Sequence, residues 1–259
     1  LEHELDPERL QALLQTQRWG RSLTCLESTA STMDEAQKAA SCGAPDGHVV
    51  VADAQTRGRG AHGRAWDSPA GTDLYFSVVT RTGLPASDSA LLTLAIGLGV
   101  RETVAGLTPS RKVQIKWPND IWIDGRKCAG ILVESRTVGS RLEAVVVGVG
   151  VNVNRLRWPD ELQGLATSIR AESEAQNALD RGSILVMLLL RLEQWVDRLV
   201  EEGAERVVGA LRPQLALLDQ PVTFDGARGV FRGVADDGAA LVATEDGLRT
   251  LRAGQLRPA

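Results

Sequence analysis

Val49-Val-Val-Ala52, then Gln55-Thr-Arg-Gly-Arg-Gly-Ala-His-Gly-Arg-Ala-Trp66, then Leu74-Tyr-Phe-Ser-Val-Val-Thr80, is the stretch from which the rest of the chain can be read. Two short β-forming runs enclose a segment with no apolar period. In that segment Gly58, Gly60 and Gly63 alternate with Arg57, Arg59 and Arg64. Glycine lets backbone N–H groups approach a ligand closely, and arginine offers a planar charged fork suited to carboxylate or phosphate. The plan is strand, cationic loop, strand, with the loop expected to be mobile when empty and to order around an anion. A solvated surface loop could carry the same residues, so the other segments decide.

With 259 residues, 43% apolar and 24% charged, the chain can build one large domain, or one plus a small module. The net charge of -4 argues against a nucleic-acid surface, since such domains are usually basic. No apolar run reaches the length of a membrane span, the longest being Ile184 to Leu190. Leu1 to Gln17 is rich in acids and glutamines, unlike a signal peptide. Cys25, Cys42 and Cys128 lack paired spacing and read as reduced thiols of a cytoplasmic protein.

Asp6-Pro7 reads as an N-cap and first helical proline, opening a helix that ends near Trp19-Gly20. Leu23 to Leu26 is a candidate strand. Thr32 with Glu35 forms a capping-box pattern for a helix to about Ser41. Hydroxyls at a helix start can also face a ligand, but the pattern favours the cap for Ser31 and Thr32. Ser89 to Val104 reads as a buried helix. Val113 to Ile115 is a strand stopped by Pro118, and Asn119-Asp120 turn. Asp124-Gly125 signals a type I′ hairpin into a strand from Lys127 to Glu134. Glu143 to Val153 is the strongest β-forming run, with Gly148 and Gly150 where a backbone or ligand needs close approach. Ala178 to about Val200 is a long amphipathic helix, and Arg212-Pro213 closes the helical region. From Leu217, turns at Asp225-Gly226, Asp237-Gly238 and Asp246-Gly247 imply a small β-barrel of about five strands. The fold class is α+β with an antiparallel or mixed sheet, divided at 1–215 and 216–259.

There is no P-loop, Gly-x-Ser-x-Gly elbow, His-Glu-x-x-His or cysteine cluster. His3, His48 and His62 are too few for a zinc site, and only His62 lies in a candidate loop. What remains is cationic. Lys127 either snorkels from a strand edge or holds a carboxylate against a phosphate, which suits nucleotidyl transfer.

With these residues in view the chain resembles the biotin–protein ligases, whose fold is a class II synthetase-like catalytic domain with an SH3-like C-terminal barrel. The match is carried by Ser31-Thr32, by Gln55 to Trp66, and by Lys116-Trp117-Pro118-Asn119-Asp120. It continues in Arg126-Lys127-Cys128-Ala129-Gly130-Ile131-Leu132-Val133-Glu134 and Gly148-Val149-Gly150-Val151-Asn152-Val153-Asn154. These five blocks stand in the family's order over about residues 27 to 170. The resemblance implies that biotin and ATP give biotinyl-5′-AMP, which then acylates a lysine of a biotin carboxyl carrier domain. It further implies that Ser31, Thr32, Met33, Gln55, Gly58, Arg59, Gly60 and Ala61 contact biotin. Lys127 would hold its carboxylate against the α-phosphate, with Arg59 as the second catalytic group. Arg64, Trp66, Lys116, Trp117, Asn119, Asp120 and Asn152 fall at the ATP and adenylate end. Mg2+ would be held mainly through the ATP phosphates, with Asp120 as a candidate contact and no dedicated protein metal site.

The chain departs from the pattern at Ala61, often arginine in the family, and at Met33, often asparagine. Loss of a guanidinium at 61 should let adenylate leak. Only about 25 residues precede the Ser-Thr block, too few for the winged helix of bifunctional members, so a ligase without repressor function is expected. A homodimer through sheet edges is a family habit. Two rivals remain: a lipoate or octanoate–protein ligase of the same fold, and a non-catalytic biotinyl-AMP sensor.

Overall fold

A computed structural model describes residues 4–138 and 141–259, with side chains at all of these but 86, 136–138 and 141–143. His3 and the first two residues of the acidic N-terminus lie outside the described residues.

Helix α1 (Pro7–Leu13) starts as expected, with Asp6 Oδ1 accepting from Arg9 N at 3.0 Å. It ends well before Trp19. The cause is Glu193, a buried carboxylate further along the chain that accepts from the backbone N–H groups of Gln17, Arg18 and Trp19 at 2.8, 2.7 and 3.1 Å. Those donors are drawn out of a helical ladder, and Trp19 is carried into the core.

Strand β1 (Leu23–Thr29), helix α2 (Thr32–Ser41), strands β2 (His48–Gln55) and β3 (Leu74–Thr80) and helix α3 (Ser89–Leu107) follow. Next come β4 (Val113–Lys116), β5 (Asp120–Ile123), β6 (Arg126–Val138) and β7 (Arg141–Val151). These strands make one seven-stranded sheet in the order β1-β2-β3-β7-β6-β5-β4. Only β1 and β2 run parallel; the other pairs are antiparallel. Asp124 and Gly125, at φ 47° and 81°, form the β5–β6 turn that their sequence demands.

The sheet's two faces are used differently. Val49, Val51, Phe76, Val78, Val147 and Val149 join the main core with α3 and α5 (Arg181–Glu202), which lies beyond a single helical turn, α4 (Ile169–Glu172). Helix α3 is long and apolar enough to cross a membrane by length and composition, although Arg101 and Glu102 interrupt its apolar run. Its Leu92, Leu94, Ile96, Leu98 and Val100 are spent inside the protein instead. The opposite face is covered in part by α2, through Met33 and Ala36 on Val50, Val79 and Val146. The remainder of that face is open to the cavity described below.

Helix α6 (Ala204–Leu211) leads to β8 (Pro221–Phe224), β9 (Ala227–Val234), β10 (Ala240–Thr244), β11 (Gly247–Leu251) and β12 (Arg257–Pro258). They form the expected five-stranded antiparallel sheet, ordered β11-β10-β9-β8-β12. It is docked on the large sheet: Trp117 Nε1 donates to Gly238 O at 3.0 Å, and Ala216 N donates to Ile115 O at 2.8 Å.

Candidate active site

The cavity, together with the solvent at its open mouth, occupies about 430 Å3. Its floor is the glycine pair Gly130 and Gly150, directly opposed across β6 and β7. The indole of Trp66 lies on them. A Cβ on Gly130 would stand 2.8 Å from Trp66 Cζ3, and one on Gly150 would stand 2.5 Å from Cε2. Gly148 makes the same allowance for Met33, whose Sδ would be 2.5 Å from a Cβ there. The glycines expected to permit close approach do so, for two side chains of this protein.

At one end, the start of α2 presents Ser31 and Thr32. The capping box is not formed: Ser31 is the N-cap and makes no side-chain cap bond. Thr32 is the first helical residue, its Oγ1 within 2.9 Å of Ser77 Oγ and donating to Gln55 Oε1 at 3.2 Å. Gln55 Oε1 also accepts from Thr32 N at 2.9 Å, and its Nε2 donates to Ser68 Oγ at 2.9 Å. The carbonyl of Gln55 thus does the work a capping side chain would have done. Ser31 Oγ is buried without a protein partner, as are Asn119 Oδ1 and Trp66 Nε1. Three orphaned polar atoms on one cavity mark it as built for a polar ligand.

At the other end stands Lys127. Its Nζ lies 2.5 Å from Asp120 Oδ1 and 5.1 Å from the centroid of Trp66. Asp120 also faces Lys116, Nζ to Oδ2 3.6 Å. Lys116 is buried, and burial pushes its pKa below the usual lysine value, as do Lys127 and Arg64, against the pull of Asp120. With one carboxylate already between two ammonium groups, Asp120 is a poor cation ligand. Among the described residues no cluster of three acidic, histidine or cysteine side chains could hold a metal.

The Gly-Arg loop is a hydrogen-bonded hairpin, not the frameless segment its composition suggested. Arg59 and Ala65 form a β-bridge, Gly60 N donates to Arg64 O at 2.7 Å, and Trp66 N donates to Gly58 O at 2.8 Å. A Cβ on Gly58 would stand 2.4 Å from Trp66 O, so only glycine fits that turn.

Of the residues singled out in the sequence, Ser31, Thr32, Met33, Gln55, Arg59, Gly60, Ala61, Trp66, Asn119 and Lys127 line this one cavity. Others do not. Arg64 borders grooves shared with His62 and the barrel. The Trp117 indole is committed to Gly238. Asn152 Nδ2 donates to Thr167 O at 2.9 Å and Lys127 O at 3.3 Å, tying strand ends together. Sequence reasoning missed Ser68 and Ser77, which carry no motif and matter only through tertiary contact. It also missed Glu134 as a partner of Arg59.

Residues 25–152 match the biotin/lipoate A/B protein ligase family. The biotin–[acetyl-CoA-carboxylase] ligase of Paracoccus denitrificans is 31% identical over 238 residues, covering 89% of this chain and 98% of that protein. This chain belongs to that family. Within it, the chain stands with the biotin protein ligases. The bifunctional ligase/repressor BirA of Bacillus subtilis is 32% identical over 92% of this chain and 74% of its own length. The Aquifex aeolicus biotin protein ligase in complex with biotin and ATP superposes with a TM-score of 0.79 at 28% identity, covering 92% of this chain and all of that one.

Proposed function

We propose that this ligase activates biotin as biotinyl-5′-AMP and passes the acyl group to a lysine of a biotin carboxyl carrier domain. The observation that carries the reading is the placement of Lys127 at one end of a cavity whose other end holds Ser31, Thr32 and Gln55. A ureido ring needs both donors and acceptors, which hydroxyls and an amide supply. A valeryl chain needs an apolar lining, which the Trp66 indole and Leu132 supply. A carboxylate meeting a phosphate needs a fixed cation, which is Lys127.

In the first step a biotin carboxylate oxygen bonds the α-phosphorus of ATP, and the bond to the bridging oxygen breaks with its electron pair leaving on pyrophosphate. Lys127 offsets the negative charge crowded between the two anions. Mg2+ arrives with the ATP phosphates as part of the substrate. In the second step the neutral amine of the acceptor lysine attacks the acyl carbon, AMP departs, and the amine proton is lost to solvent. The hairpin over the cavity shields the mixed anhydride from water between the steps. Ala61 leaves that cover without the arginine common in relatives, so biotinyl-AMP escapes measurably, and Ala61→Arg slows the escape; an unchanged release rate refutes this point.

Mass spectrometry of a carrier domain incubated with the protein, biotin and MgATP tests both steps. The expected result is one biotinyl addition on one lysine. Lipoyl addition in a parallel incubation with lipoate, and none with biotin, overturns the assignment.

A further inference from the structure

Arg59 was expected to face the reacting phosphate, yet its guanidinium is held by two acids on other elements. Nη1 and Nη2 donate to Glu134 Oε1 and Oε2 at 3.0 and 3.2 Å, a parallel fork. Nη2 also lies 3.0 Å from Asp34 Oδ1. Glu134 belongs to β6, the strand of Lys127, while Asp34 belongs to the first turn of α2, three residues from Ser31. Gln37 of α2 donates to the same Glu134 carboxylate. The hairpin, the helix bearing the ring-end hydroxyls and the strand bearing the reactive cation are thus joined through one guanidinium.

We infer that Asp34 and Glu134 are positioning residues that latch the Gly-Arg hairpin across the cavity and set how fast an activated ligand escapes. Neither acid lines the cavity itself, so neither is placed to touch the substrate. The hairpin's own hydrogen bonds run between residues 58 and 66 and give it shape without tying it to the domain. Its base is seated by Arg57 N, which donates to Ala30 O at 2.9 Å, and by the Trp66 indole on Gly130 and Gly150; beyond that base the attachment is the Arg59 cluster. Its three members are partly exposed, with side-chain exposures of 36%, 43% and 32% for Arg59, Asp34 and Glu134. A pair so placed is screened by salt and opens readily, as a latch must and a core contact must not.

The test uses the full chain and the Asp34→Asn/Glu134→Gln double variant. Trypsin cleavage after Arg64, whose side chain lies outside the cluster, reports opening of the ligand-free hairpin. Cleavage is expected to quicken about tenfold, with the unfolding midpoint unchanged, since the opening is local. Added salt should speed cleavage of the parent and leave the variant unaffected. A second arm, resting on the function proposed above, follows release of biotinyl-AMP from the preloaded protein, again expected to be about tenfold faster. Cleavage as slow in the variant as in the parent overturns the latch. A parent that forms no adenylate defeats the function instead, and the protease arm still decides the latch on its own.

Discussion

Trp66 lies on Gly150 so closely that the smallest side chain could not be fitted between them: a Cβ would stand 2.5 Å from the indole Cε2 and 2.7 Å from Nε1. Gly150→Ala must therefore lift the ring off the cavity floor. The cost is about 1–3 kcal/mol of stability, the range for overpacking, read as a shift in urea midpoint. Biotin affinity should fall in parallel, because the displaced ring fills the space meant for the ligand. A variant that binds biotin like the parent would show that the ring moves freely.

Lys127 and Asp120 separate catalysis from folding. Lys127→Ala removes one charge donor at the point of reaction and should slow pyrophosphate release about 10²-fold. Its fold should survive, because Asp120 keeps Lys116 as counter-ion. Asp120→Asn instead leaves Lys116 and Lys127 facing each other with no carboxylate, at a cost of about 3 kcal/mol. Chemical denaturation of the two variants should rank them in that order.

Glu193 holds three consecutive backbone N–H groups with one buried carboxylate. Glu193→Gln turns one acceptor oxygen into an N–H donor that faces other donors. The expected loss is about 2 kcal/mol, the scale for a buried group left unsatisfied. Hydrogen exchange at Gln17, Arg18 and Trp19 should accelerate with it.

His48 gives a pH dependence of defined sign. Its Nδ1 lies 2.8 Å from Ser22 Oγ, and burial holds its pKa below the ordinary 6.5. The unfolded chain takes up a proton near 6.5 that the folded chain refuses. The stability this contributes is complete above 6.5 and is lost as pH falls through the folded-state pKa. His48→Gln should flatten the stability profile between those two points, as followed by thermal melts at closely spaced pH values.

Much of this architecture was legible because local chemistry and tertiary demand agreed. Asp124-Gly125 could only turn, Asp6-Pro7 could only start a helix, and the three Asp-Gly pairs of the tail marked a small β unit. The five motif blocks brought ten of the singled-out residues to one cavity. What stayed hidden depended on partners distant in sequence. The end of α1 is set by Glu193, some 180 residues away in sequence and carrying no local mark of that duty. Thr32 with Glu35 has the pattern of a capping box, but Gln55 reaches the helix start first, and the hydroxyl left without a protein partner is that of the N-cap Ser31. Asn152 and Trp117 sit in motif blocks, and nothing in the blocks distinguishes a residue that touches substrate from one that ties the frame. Both donate hydrogen bonds that tie the frame.

The indole of Trp117 and the carboxylate of Asp120 occupy one five-residue turn, and the indole is hung from Gly238 in the barrel. The barrel is therefore a buttress for the charge balance behind Lys127. A shift of the C-terminal module reaches, three peptide units on, the carboxylate that neutralises Lys127.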